Sequence, residues 1–254
     1  MILFASDYDN TLYFPEKGFL SSDLYALNRF VSEGNCFALA TGRSYHSVLK
    51  SSVTVALPVH YWVCANGAAV FDQTHLLQRK TLGHRKIQEV LHYAQDCDAA
   101  AYEFGDGIDS FILKTDSPDA LSDRINAVLQ NYFSGINKII QIGFAFHTPQ
   151  QLDKCRRQLE HVSGISLHIN SLFIDITDHS ASKENAVSFL KDQCGAEKVC
   201  TLGDDWNDLG MLERFDGYLM DSSPEALKRR YQKTVSSAAE CLSLLQKEAN
   251  YHTY

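Results

Sequence analysis

Long apolar runs, positive charge and cysteine motifs are scarce in this sequence, and each scarcity excludes a class of protein. The apolar opening of residues 1–5 lacks a basic leader and meets Asp7 almost at once, so we expect neither a membrane span nor an export signal. The formal net charge of -8 argues against a nucleic-acid partner, because such proteins need clustered Lys and Arg. We expect a cytoplasmic protein with neither a membrane nor a nucleic-acid partner. A small anionic partner stays possible if a divalent cation supplies positive charge.

The cysteines and histidines form no disulfide or metal pattern. The seven cysteines are odd in number, widely spaced and never paired as CxxC, which is typical of reduced thiols. The ten histidines show no spacing typical of metal ligands. Repeats, low-complexity tracts and proline-rich linkers are also missing, while a hydrophobic content of 45% is enough for a compact fold. Nothing in these patterns indicates an oligomeric state.

Short apolar runs that end at small polar or acidic residues recur in both halves of the chain. Each has the length of a buried parallel strand, and a helical pattern follows most of them. The predicted strands are residues 2–6, 36–40, 61–65, 69–71, 198–202 and 217–220. The predicted helices are residues 20–31 (capped by Ser22), 45–49, 183–193, 208–215, 224–231 and 237–247. This alternation predicts an α/β fold with a doubly wound, Rossmann-like parallel sheet.

The stretch between these two halves has a different pattern. Its predicted elements are strands at residues 111–113 and 139–146, helices at residues 87–95 and 150–161, and a closing hairpin of residues 165–169 and 172–176. We predict that residues 82–178 form an inserted α+β domain. Residues 1–81 and 179–254 would form the α/β core.

Two carboxylates follow the first predicted strand. Asp7 and Asp9 are two positions apart, so an extended backbone would send both to one side and Tyr8 to the other. Two like charges there are costly unless a cation or protons offset them. The pair can address one metal ion and one phosphorus atom, with one carboxylate as nucleophile and the other as proton donor and acceptor. Acidic pairs in loops also cap helices or solvate turns, and the position after the first strand favours the catalytic interpretation.

Two further segments carry groups that can bind phosphate. Thr41, Gly42 and Arg43 follow the second strand, where hydroxyl and backbone N–H groups can hold phosphate oxygens, although an N-capping Thr beside a surface Arg would give the same pattern. Lys183 lies at a predicted helix start, where a cation opposes the helix dipole and therefore does not stabilise the helix. A phosphate or a carboxylate nearby would explain that position.

The segment GDDWND at residues 203–208 is the most specific motif of the chain. It follows a predicted strand and turns into a helix. Asp204 can reach a metal ion from the side opposite Asp7, while Asn207 and Asp208 can orient the metal's waters or Lys183. An acidic residue that caps a helix start would explain Asp205, but capping alone explains the motif's acidic and amide residues together poorly.

The order of these motifs resembles that of the haloacid dehalogenase (HAD) superfamily. DYDNT at residues 7–11, ATGR at residues 40–43, Ser-Lys at residues 182–183 and GDDWND resemble its four motifs, over the whole chain. The insert and the NGA segment at residues 66–68 resemble the Cof-type subfamily with a type IIB (C2B) cap. The resemblance implies a Mg²⁺-dependent phosphatase that acts on a small phosphate ester, with a sugar phosphate as the favoured substrate, through an aspartyl phosphate. The cap would set the substrate.

The resemblance also implies a role for each motif residue. Asp7 would be the nucleophile and Asp9 the general acid/base, and both would be metal ligands, Asp9 through its backbone carbonyl. Asp204 would be the acidic metal ligand, while Thr41 and Lys183 would bind the transferring phosphoryl group. Gly42 and Arg43 would shape the phosphate-binding pocket, Asn207 would help to bind the phosphate and support the metal, and Asp208 would support both. Asn10 and Glu184 depart from the family's usual glycines, and we expect Asn10 to keep a left-handed turn.

Three other functions are compatible with parts of the pattern. A signalling receiver domain also phosphorylates an Asp at a sheet edge, but it does so after a later strand and without a long insert. A sugar phosphomutase of the same capped fold uses the same aspartyl phosphate, and the motifs do not separate it from a phosphatase. A pseudoenzyme that only binds ligand is the third, but both Asp7 and Asp9 are retained.

The insert offers only general candidates for substrate contacts. Glu103, Asp106, Asp109 and His147 could meet sugar hydroxyls, although solvated loop positions explain these residues too. The sequence therefore does not identify the substrate.

Overall fold

Two β-sheets organise the computed structural model, which describes residues 1–53, 57–73, 75–94, 96–115, 121–131 and 138–251. The strands are β1 (Ile2–Asp7), β2 (Tyr13–Phe14), β3 (Gly18–Phe19), β4 (Cys36–Ala40), β5 (Tyr61–Cys64), β6 (Ala69–Phe71), β7 (Leu76–Arg79), β8 (Ala101–Gly105), β9 (Ser110–Lys114), β10 (Gln141–Ala145), β11 (Ile165–Asn170), β12 (Phe173–Asp178), β13 (Lys198–Gly203), β14 (Tyr218–Met220) and β15 (Thr234–Val235). The α-helices are α1 (Ser21–Ser32), α2 (Tyr45–Val53), α3 (His84–Ala94), α4 (Leu121–Asn131), α5 (Pro149–Leu159), α6 (Lys183–Cys194), α7 (Leu209–Arg214), α8 (Glu225–Arg230) and α9 (Ala238–Tyr251).

The larger sheet has the strand order β15-β14-β13-β1-β4-β5-β6-β7. Its strands from β15 to β5 pair in parallel, while β6 and β7 pair antiparallel at one end. Strand β1 lies between β13 and β4 and is covered on both faces, which explains its uninterrupted apolar run. The carboxyl ends of these three strands therefore meet at one edge of the sheet.

Helices cover both faces of the larger sheet. Side chains of α1, α2 and α9 pack into one hydrophobic cluster on one face, and side chains of α6 and α7 pack into a second cluster on the other. This arrangement confirms the predicted doubly wound α/β fold. Every described helix is too short or too polar to cross a membrane. All seven cysteines are free thiols.

The smaller sheet is antiparallel, with the strand order β11-β12-β10-β8-β9. One face presents Tyr102, Phe104, Ile142 and Phe144 to apolar side chains of α3, α4 and α5, and these form a separate hydrophobic cluster. Because side chains alternate along a strand, the residues between them face away from the helices. The predicted boundary of the insert, residues 82–178, stays a prediction, and the separate hydrophobic cluster supports it.

Several local predictions were wrong or incomplete. The N-cap of α1 is Leu20, without a side-chain cap bond, so Ser22 does not cap that helix. The helix predicted from residue 208 begins at Leu209, after one 3₁₀ turn, and Pro224 lies at the N-cap of α8 instead of inside its first turn. Strands β7, β8 and β15, helix α4 and the small hairpin of β2 and β3 were not predicted. Gln95, the predicted end of the helix at residues 87–95, lies outside the described residues.

Gly67 allows a tight 3₁₀ turn to pack against the start of α6. Its φ is +95°, and a Cβ there would overlap the carbonyl oxygen of Ser182, the N-cap of α6. We expect Gly67→Ala to lower the free energy of unfolding by about 2–4 kcal/mol, since it adds backbone strain to steric overlap. Denaturant unfolding would measure this.

A matched control exists at Gly83, which has open space around its Cβ position and no positive φ. Gly83→Ala should leave the free energy of unfolding within about 0.5 kcal/mol of the wild-type value. Equal stabilities for the two variants would contradict the steric role of Gly67.

Candidate active site

The predicted motif residues meet at the carboxyl edge of the larger sheet. Asp7 ends β1, Thr41 follows β4 and Asp204 follows β13. A cleft of about 560 Å³ lies between this edge and the face of the smaller sheet that its helices leave open. Of the predicted site residues, six line this cleft: Asp7, Asp9, Gly42, Arg43, Asp204 and Asn207. Thr41, Lys183 and Asp208 are almost fully buried beside them.

Lys183 makes the central ion pairs of the site. Its Nζ donates to Oδ1 of Asp7 at 2.5 Å and to Oδ1 of Asp208 at 2.7 Å, and its side chain is 1% exposed. Burial lowers the pKa of Lys183, but attraction to Asp208 and Asp7 more than offsets this and holds that pKa above its ordinary value. The ammonium is therefore charged, and one of its three N–H donors is left for another acceptor.

Asp208 fixes the loop that carries Asp204. Its second oxygen, Oδ2, accepts backbone N–H groups of Asp204 at 3.0 Å and of Asp205 at 3.1 Å. Its Oδ1 accepts from Lys183, so one buried carboxylate joins the loop after β13 to the start of α6. This explains why an acidic residue at this position is structurally useful, and it agrees with the predicted link between Asp208 and Lys183.

Three carboxylates converge closely enough to hold a metal ion. Oxygen atoms of Asp7, Asp204 and Asp208 lie within 4.8 Å of one another. Burial, together with repulsion from Asp208 and Asp204, raises the pKa of Asp7 well above its ordinary value against the pull of Lys183. Burial and Asp208 likewise raise the pKa of Asp204 to about 6. A divalent cation would relieve this repulsion, and all-oxygen ligands suit Mg²⁺, so the residues present fit such an ion.

The side chain of Asp9 lies in a different interaction. Both of its oxygens accept from Arg43, at 2.9 Å from Nε and 2.6 Å from Nη2. The guanidinium also lies 5.1 Å from the centroid of the Tyr8 ring. Tyr8 is fully buried in the core, as expected from the alternation of Asp7, Tyr8 and Asp9. The sequence did not indicate the pair between Arg43 and Asp9, since it depends on how two separate loops meet.

Thr41 and Asn207 are each held by a neighbouring residue, and the neighbour of Asn207 was not predicted as a site residue. Oγ1 of Thr41 accepts the backbone N–H of Arg43 at 3.1 Å, which leaves the hydroxyl hydrogen free to donate. Nδ2 of Asn207 donates to Oδ1 of Asn66 at 3.0 Å. Asn66 is buried, has φ of +53° and lies against Gly42. A Cβ added at Gly42 would lie 3.3 Å from the side chain of Asn66. The sequence signal that could have identified Asn66 as a site residue is the Asn-Gly pair that follows the predicted strand at residues 61–65.

The turn after Asp9 also has the predicted form. Asn10 adopts φ of +58°, and its backbone N–H donates to the carbonyl of Tyr13 at 2.8 Å. The next residue, Thr11, donates its hydroxyl to Oδ1 of Asp204 at 2.9 Å. The expectation that Asn10 keeps a left-handed turn is therefore confirmed, and Thr11 helps to place Asp204.

The smaller sheet supplies the opposite wall of the cleft. Its polar contributors are Glu103, Ser110, Gln141, His168, Asn170 and Asp175. Among the four insert residues considered from the sequence, only Glu103 lines the cleft. Asp106 instead accepts backbone N–H groups of its own loop, and Asp109 lies 2.8 Å from His46. Gln141, His168 and Asp175 were missed as site residues, because strand register alone brings them together.

Comparison with known proteins identifies one family and relatives provisionally named as phosphatases. A family model described as haloacid dehalogenase-like hydrolase matches residues 4–243. A protein from Buchnera aphidicola subsp. Baizongia pistaciae, provisionally named a phosphatase, is 24% identical over 240 residues, which are 89% of this chain and 88% of that protein. A Haemophilus influenzae protein of the same provisional name is 35% identical over 77 residues, or 29% of each chain.

Solved structures share the fold at low sequence identity. A haloacid dehalogenase-like hydrolase from B. subtilis aligns with a TM-score of 0.75 and 18% identity, over 94% of this chain and 96% of that one. A structure described as a HAD subclass IIB sugar phosphatase aligns with a TM-score of 0.74 and 15% identity, over 98% and 99%. The family model over residues 4–243 confirms the resemblance inferred from the four motifs. The chain belongs to the haloacid dehalogenase-like hydrolases.

Proposed function

We propose that this protein is a Mg²⁺-dependent phosphohydrolase that acts on a small phosphorylated metabolite through an aspartyl phosphate on Asp7. One observation carries the proposal: Lys183 holds Asp7 at the base of an open cleft, beside Asp204 and Asp208. The relatives provisionally named phosphatases and the sugar phosphatase fold support the same activity. A sugar phosphate is the favoured substrate class.

In the first step, a carboxylate oxygen of Asp7 attacks phosphorus. A bond forms between that oxygen and phosphorus, and the bond from phosphorus to the leaving-group oxygen breaks. Lys183 and the hydroxyl of Thr41 donate to the phosphoryl oxygens, since each has a donor left after its internal bonds. In the second step, water attacks the same phosphorus, and the bond from Asp7 to phosphorus breaks to release inorganic phosphate.

Asp9 moves the protons in both steps. It gives a proton to the leaving-group oxygen in the first step and takes one from the attacking water in the second. In the structure both of its oxygens accept hydrogen bonds from Arg43, so Asp9 must turn away from the guanidinium and take up a proton from solvent before it can protonate the leaving group. Arg43 would then be free to meet the phosphoryl group of the substrate, since it also lines the cleft.

The metal site would use Asp7, Asp204 and the backbone carbonyl of Asp9, with Asp208 close by. When bound, Mg²⁺ would neutralise charge on the phosphoryl group and keep Asp7 ionised in surroundings that otherwise raise its pKa. The side chain of Asp9 pairs with Arg43, which leaves its backbone carbonyl as the group offered to the ion.

Removal of divalent cations should abolish the reaction. We expect a chelator to lower phosphate release at least about 100-fold and added Mg²⁺ to restore it, because the ion supplies several kcal/mol of charge stabilisation. Mg²⁺ should also raise the melting temperature of the wild-type protein, since it binds only the folded carboxylate cluster. Both effects should be lost in Asp204→Asn.

Asp192→Asn is a suitable control, because Asp192 is an exposed carboxylate on α6 away from the cleft. This variant should respond to Mg²⁺ as the wild type does. Full activity in the presence of chelator, or a normal Mg²⁺ response in Asp204→Asn, would contradict the proposed metal site.

A screen of phosphorylated metabolites with Mg²⁺, read as free phosphate, tests the reaction itself. A hexose 1-phosphate supplied with a bisphosphate activator separates the two activities left open by the motifs. A phosphatase releases phosphate, whereas a phosphomutase forms the isomeric hexose phosphate. Formation of the isomer with little free phosphate would overturn the hydrolase assignment.

A further inference from the structure

Two carboxylates of the smaller sheet flank a glycine on the wall that faces Asp7. Gly143 on β10 pairs with Glu103 on β8 and with Asp175 on β12. Directly paired residues point to the same face of a sheet, and Glu103 and Asp175 both line the cleft. The three positions therefore form one row across the middle of the cleft wall, which we call the carboxylate row.

The glycine keeps a notch open between the two acids. A Cβ at Gly143 would lie 3.0 Å from Oδ1 of Asp175 and 3.1 Å from Cβ of Glu103. The backbone φ of Gly143 is not in the left-handed region, so turn geometry does not require glycine there. The absence of a side chain at Gly143 therefore leaves space between the two carboxylates.

The carboxylate row holds two acidic groups and no protein cation. Neither Glu103 nor Asp175 forms an ion pair with any described residue. Burial and the nearby Glu103 raise the pKa of Asp175 to about 7, although a hydrogen bond from Gln141 opposes this. Gln141 is itself 7% exposed and lines the cleft. His168, paired with Asp175 on β11, adds no positive charge, because burial and Lys183 lower its pKa to about 4.

Apolar side chains border the same wall. Phe173 is 51% exposed and Ile169 is 41% exposed, and both line the cleft. Exposed large apolar groups beside carboxylate acceptors suit a ligand that has both C–H surface and hydrogen-bond donors. A ligand with a single ammonium group and no hydroxyls would leave most of this wall unused.

We propose that the carboxylate row selects leaving groups that are uncharged and rich in hydroxyl groups, and that it rejects leaving groups with a second negative charge. This inference rests on the proposed phosphohydrolase function and states which phosphate esters the enzyme would prefer. Hydroxyl hydrogens would donate to Glu103 and Asp175 across the notch at Gly143. A second phosphate or a carboxylate would meet these acids without a cation between them.

The same electrostatics favour hydrolysis over mutase chemistry. A mutase that passes through a bisphosphate must hold a second phosphate while the first one reacts. Among the described residues that line this cleft, the cation is Arg43, which lies on the wall that carries Asp9, whereas the far wall, where a second phosphate would lie, carries Glu103 and Asp175. A bound bisphosphate would therefore place like charges against each other.

Steady-state kinetics with Mg²⁺ on four substrates would test the specificity. These are 4-nitrophenyl phosphate, a hexose 6-phosphate, the matching hexose bisphosphate and the matching 6-phospho sugar acid. The hexose 6-phosphate should have the highest kcat/KM, at least about tenfold above the two substrates with a second anion. The nitrophenyl ester reports the core chemistry alone. If the enzyme hydrolyses 4-nitrophenyl phosphate but has equal kcat/KM values for the hexose 6-phosphate and the two doubly charged sugars, the proposed specificity is overturned and the phosphohydrolase function stands.

Variants of the row supply the second test. Glu103→Gln with Asp175→Asn should reduce the preference for the hexose 6-phosphate over the bisphosphate at least about fivefold, because like-charge repulsion is removed. Gly143→Ala should raise KM for the hexose 6-phosphate more than it raises KM for 4-nitrophenyl phosphate, because the added methyl group fills the notch between the two acids. Glu89→Gln is the matched control, since Glu89 lies on α3 behind the other face of the sheet.

An unchanged preference in the double variant would overturn the role of the row. A hexosamine 6-phosphate distinguishes hydroxyl from ammonium recognition. A kcat/KM for it at least about tenfold above that of the neutral hexose phosphate would overturn the hydroxyl assignment, and a lower or similar value supports it. Failure to hydrolyse any ester, the nitrophenyl one included, would instead contradict the proposed phosphohydrolase function.

Discussion

Asp7→Asn is expected to lower phosphate release by at least about 10⁴-fold, because an amide oxygen is a poor nucleophile toward phosphorus. The fold should survive, since Asp208 still pairs with Lys183 and β1 keeps its neighbours on both sides. Removing one of three converging carboxylates also reduces their repulsion. Phosphate release from 4-nitrophenyl phosphate and the melting temperature would measure both effects.

Asp23→Asn is the matched control for this change. Asp23 is also a buried Asp, but it lies on α1 and accepts the backbone N–H of Ala239 at 2.9 Å, a bond that Asn can keep. Its activity should stay within about twofold of the wild type. Substantial turnover by a folded Asp7→Asn protein would remove Asp7 from the reaction.

Lys183→Met is expected to cost both activity and stability. The change leaves Asp7 and Asp208 buried without their cation, and breaking a buried ion pair from one side typically costs about 3–5 kcal/mol. It also removes a donor to the transferring phosphoryl group, so phosphate release should fall at least about 10³-fold. Denaturant unfolding and the same phosphatase assay would measure these losses.

Two companion variants separate the causes. Lys191→Met changes a Lys on the same helix that forms no ion pair with a described residue, and it should alter neither property appreciably. Adding Asp208→Asn to Lys183→Met should recover part of the lost stability, because one uncompensated charge is gone, but none of the activity. A Lys183→Met protein as stable as the wild type would contradict the buried charge network.

The larger sheet could be predicted because its central strands are buried on both faces. Residues 2–6 and 36–40 are short apolar runs that end at polar residues, and the structure places them as neighbouring strands. The position of Lys183 was also informative. A cation at a helix start is unfavourable without an anion nearby, and the structure supplies two, Asp7 and Asp208.

In the smaller sheet, strand β8 was not predicted, because only alternate residues of it face the hydrophobic cluster. Residues 101–105 alternate between core and cleft, with Glu103 as the cleft-facing member, and so lack a continuous apolar run. Glu103, Gly143 and Asp175 are distant in sequence, and only the register of three antiparallel strands joins them. The pair between Arg43 and Asp9 was unpredictable for a related reason, since a side chain's partner depends on tertiary packing.

Rapid quenching during turnover tests the central claim most directly. The enzyme would be mixed with 4-nitrophenyl phosphate and Mg²⁺, stopped in acid within the first turnovers, digested and analysed by mass spectrometry. We expect one phosphoryl group on the peptide that contains Asp7, absent from Asp7→Asn and present in the Asp23→Asn control. A phosphoryl group on another residue, or turnover with no labelled Asp7 under conditions that preserve acyl phosphates, would contradict the account.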